Sequence, residues 1–205
     1  MTTIIINTIK QGGIVIIPLI LCSLISLAVI IERLFFWISL KKKQDPILRD
    51  QILQLFQKQD WDAIKKITKA NKDHIIKILI SGILHKDFSL SKALEAAAAE
   101  EIKKMRKYMN IIDTIITSAP LLGILGTVTG IIASFTAISS AGIDQAGIVS
   151  AGIAQALITT AAGLVVAIFS LFFYNFFNTQ IENAISSIES YATSLEVLFE
   201  KEKSV

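Results

Sequence analysis

Ala119 to Gly130 reads APLLGILGTVTG, with three glycines, one proline and two threonines. No charged residue stands between Asp113 and Asp144 around it. A second run of the same kind, Gly152 to Gly163, reads GIAQALITTAAG and lies in the charge-free stretch from Gln145 to Ile181. Each stretch exceeds the roughly 20 apolar residues that a helix needs to cross a bilayer. Both carry Gly, Ala and Thr where a lipid-facing helix carries Leu and Phe, so each is expected to present a seam to protein rather than to lipid. The fold class expected is an all-α integral membrane protein, with three transmembrane helices and long cytoplasmic helical extensions.

Composition agrees. The 205 residues are 53% hydrophobic and only 18% charged, against roughly 25% charged in soluble domains. Cys22 is the single cysteine, so it forms no internal disulfide and belongs to no thiolate cluster. His74 and His85 are eleven residues apart, about 16 Å along one helix, and read as surface or packed histidines rather than as a metal pair. No metal and no cofactor is expected.

Taken in order, residues 1–12 read as an external N-terminus and 13–39 as the first span. Gln11 to Ile31 is uncharged; Glu32 and Arg33 follow, then Phe35, Phe36 and Trp37, then Lys41, Lys42 and Lys43. The aromatics read as an interfacial belt and the lysines as a cytoplasmic anchor. Glu32 and Arg33 are expected to snorkel to water and hold the helix end; the alternative is a contact with a neighbouring subunit. Pro18 is expected to kink the outer end. A cleaved signal peptide fits poorly, because little positive charge precedes the run, the run is long, and no small-x-small site follows.

Residues 40–112 read as a cytoplasmic helical region, since residues 41–110 hold 16 of the 20 basic residues. Interspersed acids and few aromatics argue against a nucleic-acid surface. Leu48, Ile52, Leu55 and Phe56 form one helical stripe, Trp61, Ile64 and Ile67 a second, and Ile75, Ile76, Leu79, Ile80, Ile83 and Leu84 a third. A longer helix follows, capped by Ser89 or Ser91. Neither Pro nor Gly occurs between Gly82 and Pro120, so this helix is expected to run directly into the second span, 113–141. An external loop, 142–147, carries Asp144 without Lys or Arg. The third span is 148–177; its uncharged run exceeds about 50 Å as helix and must project beyond the membrane. Phe172, Phe173, Tyr174, Phe176 and Phe177 mark that interface. Residues 178–205 read as an amphipathic cytoplasmic helix.

The two seams carry the candidate chemistry. Gly123, Thr127, Gly130 and Ser134 recur at three- and four-residue spacing, as do Gly152, Ala156, Thr160, Gly163 and Ala167. Gly123, Gly126, Gly130, Gly152 and Gly163 are read as packing residues that let helices approach. Thr127 lies about 20 Å from the start of its span and Thr160 about 18 Å from the start of its own, so both sit in the middle third of the membrane. Their hydroxyls, with two lone pairs and one donor each, make them the candidate ion-pathway residues. Thr159, Gln155 and Asp113 are possible accessories. Apart from Asp113 at the cytoplasmic entry of the second, neither span contains Asp, Glu, Lys or His, whereas a proton relay needs an ionisable group. The residues therefore describe an oligomeric wall whose titrating group comes from another chain.

At these residues the chain resembles the ExbB/TolQ/MotA family, most closely its ExbB and TolQ branches. APLLGILGTVTGII and GIAQALITTAAGLVVAI look like the two family signatures, and the Glu32-Arg33 pair matches as well. The resemblance implies a homopentamer in the bacterial inner membrane, N-terminus outside and C-terminus cytoplasmic, around a single-span ExbD- or TolR-like partner that supplies a membrane aspartate. Work would pass to a TonB- or TolA-like protein. Thr127 and Thr160 match the family's pore-facing threonines. Two departures stand out: Gln155 replaces a frequent glutamate, and Phe169 stands where proline is common, so the third helix is expected to be straighter.

The function expected is a pore-lining stator subunit of a proton-motive-force-driven motor that energises TonB-dependent outer-membrane transport. The alternatives are a TolQ-like envelope-maintenance subunit and a non-conducting scaffold whose seams only pack helices. An enzyme is not expected, for the sequence shows no nucleophile-base pair and no phosphate loop. Three spans without an internal repeat also disfavour a secondary transporter.

Overall fold

The structure, a computed structural model, describes residues 14–69, 71–141 and 146–203. The expected external N-terminus, Asp144 and most of the expected loop lie outside them. The described residues form seven helices and no strand: α1 Ile16–Lys42, α2 Pro46–Gln57, α3 Trp61–Thr68, α4 His74–Leu84, α5 Lys86–Met105, α6 Met109–Ala141 and α7 Ala146–Lys203. Three of them, α1, α6 and α7, are long and apolar enough to cross a membrane. The chain is thus an all-α membrane protein. It divides into two compact units, one made of residues up to Glu32 with Tyr108–Phe176, the other of Arg33–Lys107 with the residues from Phe177 onward.

In the first unit, α1, α6 and α7 meet at a small apolar core of Leu19, Ile115, Ala119 and Ala167, with Cys22 packed against it. Pro18 does not kink α1. The helix starts at Ile16, so Pro18 stands in the first turn, where its missing N–H costs no intrahelical bond. Most of the span surface remains uncovered: Leu121, Phe135, Leu157, Val165, Ile168 and Phe172 are all exposed. An apolar surface of that extent requires lipid or protein against it.

The second unit is built from short, capped helices. Asp45, Asp60 and Asp73 cap α2, α3 and α4, each side chain accepting a backbone N–H of the first turn, and Pro46 follows the first cap at a position that suits proline. The stripes read in the sequence bury Ile52 and Phe56 on α2, Ile64 on α3, and Ile75, Ile76 and Leu79 on α4. Gly82 lets α4 approach α5: a Cβ there would lie 2.6 Å from Leu94 Cδ2. Ser89 has extended backbone angles, and its Oγ accepts from the Lys92 N–H, capping the main length of α5.

Two expectations about this region are overturned. The helix of α5 does not run on into α6. It ends at Met105, and after Arg106–Tyr108 a new helix starts at Met109; Tyr108 has φ 66°, in the left-handed region. No helix-breaking residue marks the spot, because the break is set by a residue distant in sequence. Arg33 is only 1% exposed and donates from Nη1 to the carbonyls of Lys104, at 3.1 Å, and Met105, at 3.4 Å. These are terminal helix carbonyls, which a cation stabilises. Arg33 is therefore not a snorkelling anchor. It is a buried C-terminal cap, with Phe36 stacked on its guanidinium at 4.4 Å.

Candidate functional site

The α6–α7 pair is joined along its length by small residues. Going up α6 and down α7, Ala119 lies opposite Gly163, Gly123 opposite Thr160, Gly126 opposite Thr159, Gly130 opposite Ala156 and Ser134 opposite Gly152. The two helices are therefore antiparallel. A Cβ on Gly163 would lie 2.5 Å from the Ala119 carbonyl oxygen, and one on Gly123 would lie 3.0 Å from Thr160 Cα. These are backbone-to-backbone approaches that any larger side chain would force apart. At Gly126 the obstacle is the Thr159 side chain, and at Gly152 it is Ser134 Oγ.

The threonines divide by role. Thr159 is fully buried, packs on Gly126 and donates to the Gln155 carbonyl at 3.1 Å. Thr160 is half-buried and crosses the seam: its Oγ1 donates to the Gly123 carbonyl at 2.8 Å. Thr127 stands one position, about 100°, around α6 from Gly126. It lies to one side of the seam, half-buried, and donates to the Ile124 carbonyl of its own helix at 2.6 Å. No hydrogen bond joins Thr127 to Thr160. Both hydroxyls have already committed their proton to a carbonyl. What each can offer a ligand is the lone pairs of its oxygen, which accept no hydrogen bond among the described residues. Such an oxygen suits a cation, a hydronium or a protonated acid. Gln155 is half-buried one turn from Thr159, and Asp113 is exposed in the second turn of α6.

One polar contact in this unit has no counterpart in the sequence reading. Ser26 of α1 and Ser170 of α7, 2% and 0% exposed, share a hydrogen bond of 2.6 Å. Its only signal in the sequence is a pair of serines inside otherwise apolar runs. Each satisfies the other, so the pair ties two helices together across apolar surroundings.

The second unit contains a buried charged cluster that the helical stripes do not announce. Asp73 is fully buried; its Oδ1 accepts the Ile75 N–H at 2.8 Å, while Oδ2 accepts the Asp45 N–H at 2.7 Å and Arg49 Nε at 2.8 Å. Arg49 Nη2 lies 2.7 Å from the same oxygen. Burial works to raise the Asp73 carboxyl, but the Asp45 amide, Arg49 and the Ile75 amide outweigh it and hold it below its ordinary value. Arg49 also lies over the ring of Tyr191, whose hydroxyl donates to Asp50 at 3.0 Å. One carboxylate thereby links α2, the α4 N-terminus and α7. Among the described residues no His, Cys, Asp and Glu cluster has metal-site geometry.

Residues 44–190 match the sequence pattern of the MotA/TolQ/ExbB proton channel family. The biopolymer transport protein ExbB-like 3 of Synechocystis is 34% identical over 198 residues, 93% of this chain and 92% of that protein. The ExbB protein of Xanthomonas campestris is 34% identical over 110 residues, 54% of this chain and 44% of its own. The Tol-Pal system protein TolQ of Pseudomonas aeruginosa is 29% identical over 112 residues, 55% and 48% respectively. Three membrane-length helices and a match over most of the chain define the class. The chain belongs to the MotA/TolQ/ExbB proton channel family.

Proposed function

We propose that this chain is the pore-lining stator subunit of an ion-driven machine of the ExbB–ExbD type in a bacterial inner membrane. In that role it forms a homo-oligomer, a pentamer by family analogy, around the single span of an ExbD- or TolR-like partner. The partner's membrane aspartate is the titrating group, and the work passes to a TonB-like protein serving outer-membrane transport. The basic second unit faces the cytoplasm by the positive-inside rule, with the N-terminus outside and the C-terminus cytoplasmic.

The observation that carries the proposal is the state of the two threonine hydroxyls. Thr127 and Thr160 each donate to a backbone carbonyl and so present acceptor oxygens within the charge-free stretches of α6 and α7. A protonated carboxylic acid on a passing helix finds there a hydrogen-bond acceptor, and an exposed cation finds a ligand. The neutral Gln155 leaves the proton-carrying role to the partner.

The test is partner-dependent proton uptake in reconstituted vesicles. Thr160→Val and Thr127→Val are expected to fall by about tenfold or more, the equivalent of ~1.4 kcal/mol on the barrier. Stability should change by only about 1 kcal/mol, because each variant loses one hydrogen bond. Wild-type uptake in both variants would overturn the proposed role and favour the scaffold reading. A TolQ-like role remains the second functional alternative, supported by the likeness to the Pseudomonas protein; co-purification with a TonB-like or a TolA-like protein separates the two.

A further inference from the structure

His74 is the second residue of the Asp73 cap motif and is 2% exposed. Neither of its ring nitrogens has a hydrogen-bond partner among the described residues. A buried imidazole in this position is unusual, since buried polar side-chain atoms are nearly always hydrogen-bonded. Neutral, it loses the hydrogen bonds it made to water. Protonated, it would be an uncompensated charge in the same place, which is far costlier.

The groups around it leave no room for that charge. Asp73 and Lys77 face His74 from its own helix, Arg49 from α2 and Glu101 from α5. The two cations and two anions already balance. Asp73 Oδ1, 3.8 Å from His74 Nδ1, accepts the Ile75 amide, and its other oxygen is held by Asp45 and Arg49. Glu101 is paired with Lys104 at 2.9 Å. Tyr191 of α7 reaches Asp50 rather than the imidazole. His74 also stands at the first position of α4, where the positive end of the helix dipole opposes a further positive charge.

We propose that His74 is an acid-sensitive latch: protonating it breaks the packing of the α4 N-terminus against α2 and α5 and loosens the second unit. Burial holds the imidazole below its ordinary value of 6.5; Asp73 opposes this and Arg49 reinforces it. A group lowered on folding stabilises the fold fully above 6.5, and that contribution is lost as pH falls from 6.5 through the folded value. Loosening of this unit would slow the proton flow when the surrounding solution acidifies. That consequence rests on the proposed ion-conducting role, whereas the structural transition does not.

Amide hydrogen exchange of the full-length protein in detergent separates these. After correction for intrinsic exchange, the α4 amides of the wild type should open several-fold more readily at pH 5.5 than at pH 7.5, up to the limit of about tenfold that one group with an ordinary value of 6.5 allows. His74→Leu should abolish that difference, since neither ring nitrogen has a bond to lose, and His74→Gln, a neutral polar replacement, should abolish it too. Equal protection of wild-type α4 at both pH values overturns the latch, as does an undiminished response in either variant. Vesicle uptake at the same two pH values then tests the consequence. A wild type whose α4 opens while uptake is unchanged keeps the latch and removes its link to transport.

Discussion

Asp73→Ala is expected to unfold the second unit or leave it barely stable, a loss of about 3–5 kcal/mol. The magnitude comes from what remains behind. Arg49 has 8% of its side chain exposed and Asp73 none, so removing the carboxylate strands a guanidinium without its partner away from water. The Ile75 and Asp45 amides lose their acceptor in the same step, and α4 loses its cap. Chemical denaturation followed by Trp61 fluorescence measures this, since Trp61 packs edge-on to Phe56 within the unit. Asp73→Asn should recover part of the loss, because the amide oxygen still caps α4 although the charge is gone. Equal stability of wild type and Asp73→Ala would show that the cluster is not what holds these helices. Because the Asp73 carboxyl is lowered on folding, its contribution is present above pH 3.8 and disappears as pH falls through the folded value.

Gly163→Leu is the second large effect. Here the obstacle to a side chain is the Ala119 carbonyl oxygen together with Gly123 Cα. Neither can turn aside, so α6 and α7 must separate. Overpacking costs about 1–3 kcal/mol, and a purely backbone obstacle places this site at the upper end. The separation also pulls Thr160 from the Gly123 carbonyl, so stability and ion flux should fall together. Gly152→Ala is the matched control: its new methyl meets Ser134 Oγ, a side chain with other rotamers. Thermal melts in detergent should show a large drop for Gly163→Leu and a small one for Gly152→Ala. Similar melting of the two would mean that the seam is loosely packed.

The sequence made the three apolar helices legible because lipid imposes a local rule: some twenty uncharged residues in a row. The helical stripes of α2 to α4 were equally visible, for 3.6-residue periodicity is also local. What escaped notice depended on residues far apart in the chain. Arg33 looked like an interfacial anchor because its acceptors, Lys104 and Met105, are more than seventy positions away. The same blindness hid the break before α6. Asp73 stands between two helical stripes, and nothing near it in the chain announces Arg49. At the α6–α7 seam, spacing alone put Thr127 on the same stripe as Gly123 and Gly130. The structure shows Gly126 at the contact and Thr127 beside it, a difference of one residue that only the rotation of α6 against α7 resolves.

The length of α7 has a consequence for the order of events in synthesis. Its residues up to Phe176 belong to one unit and those from Phe177 to the other, and in chain order it comes after the other six helices. Both units therefore wait for the same element. At about 5–20 residues per second, the ribosome needs about 3–12 s to deliver its 58 residues. Through that interval α6 displays an open row of glycines and the α2–α5 bundle lacks Tyr191 against Arg49. A nascent chain in that state is a client for insertion and holding factors. A bulky replacement of Gly163, where α7 meets the backbone of α6, should therefore lower the yield as well as the stability of the finished protein.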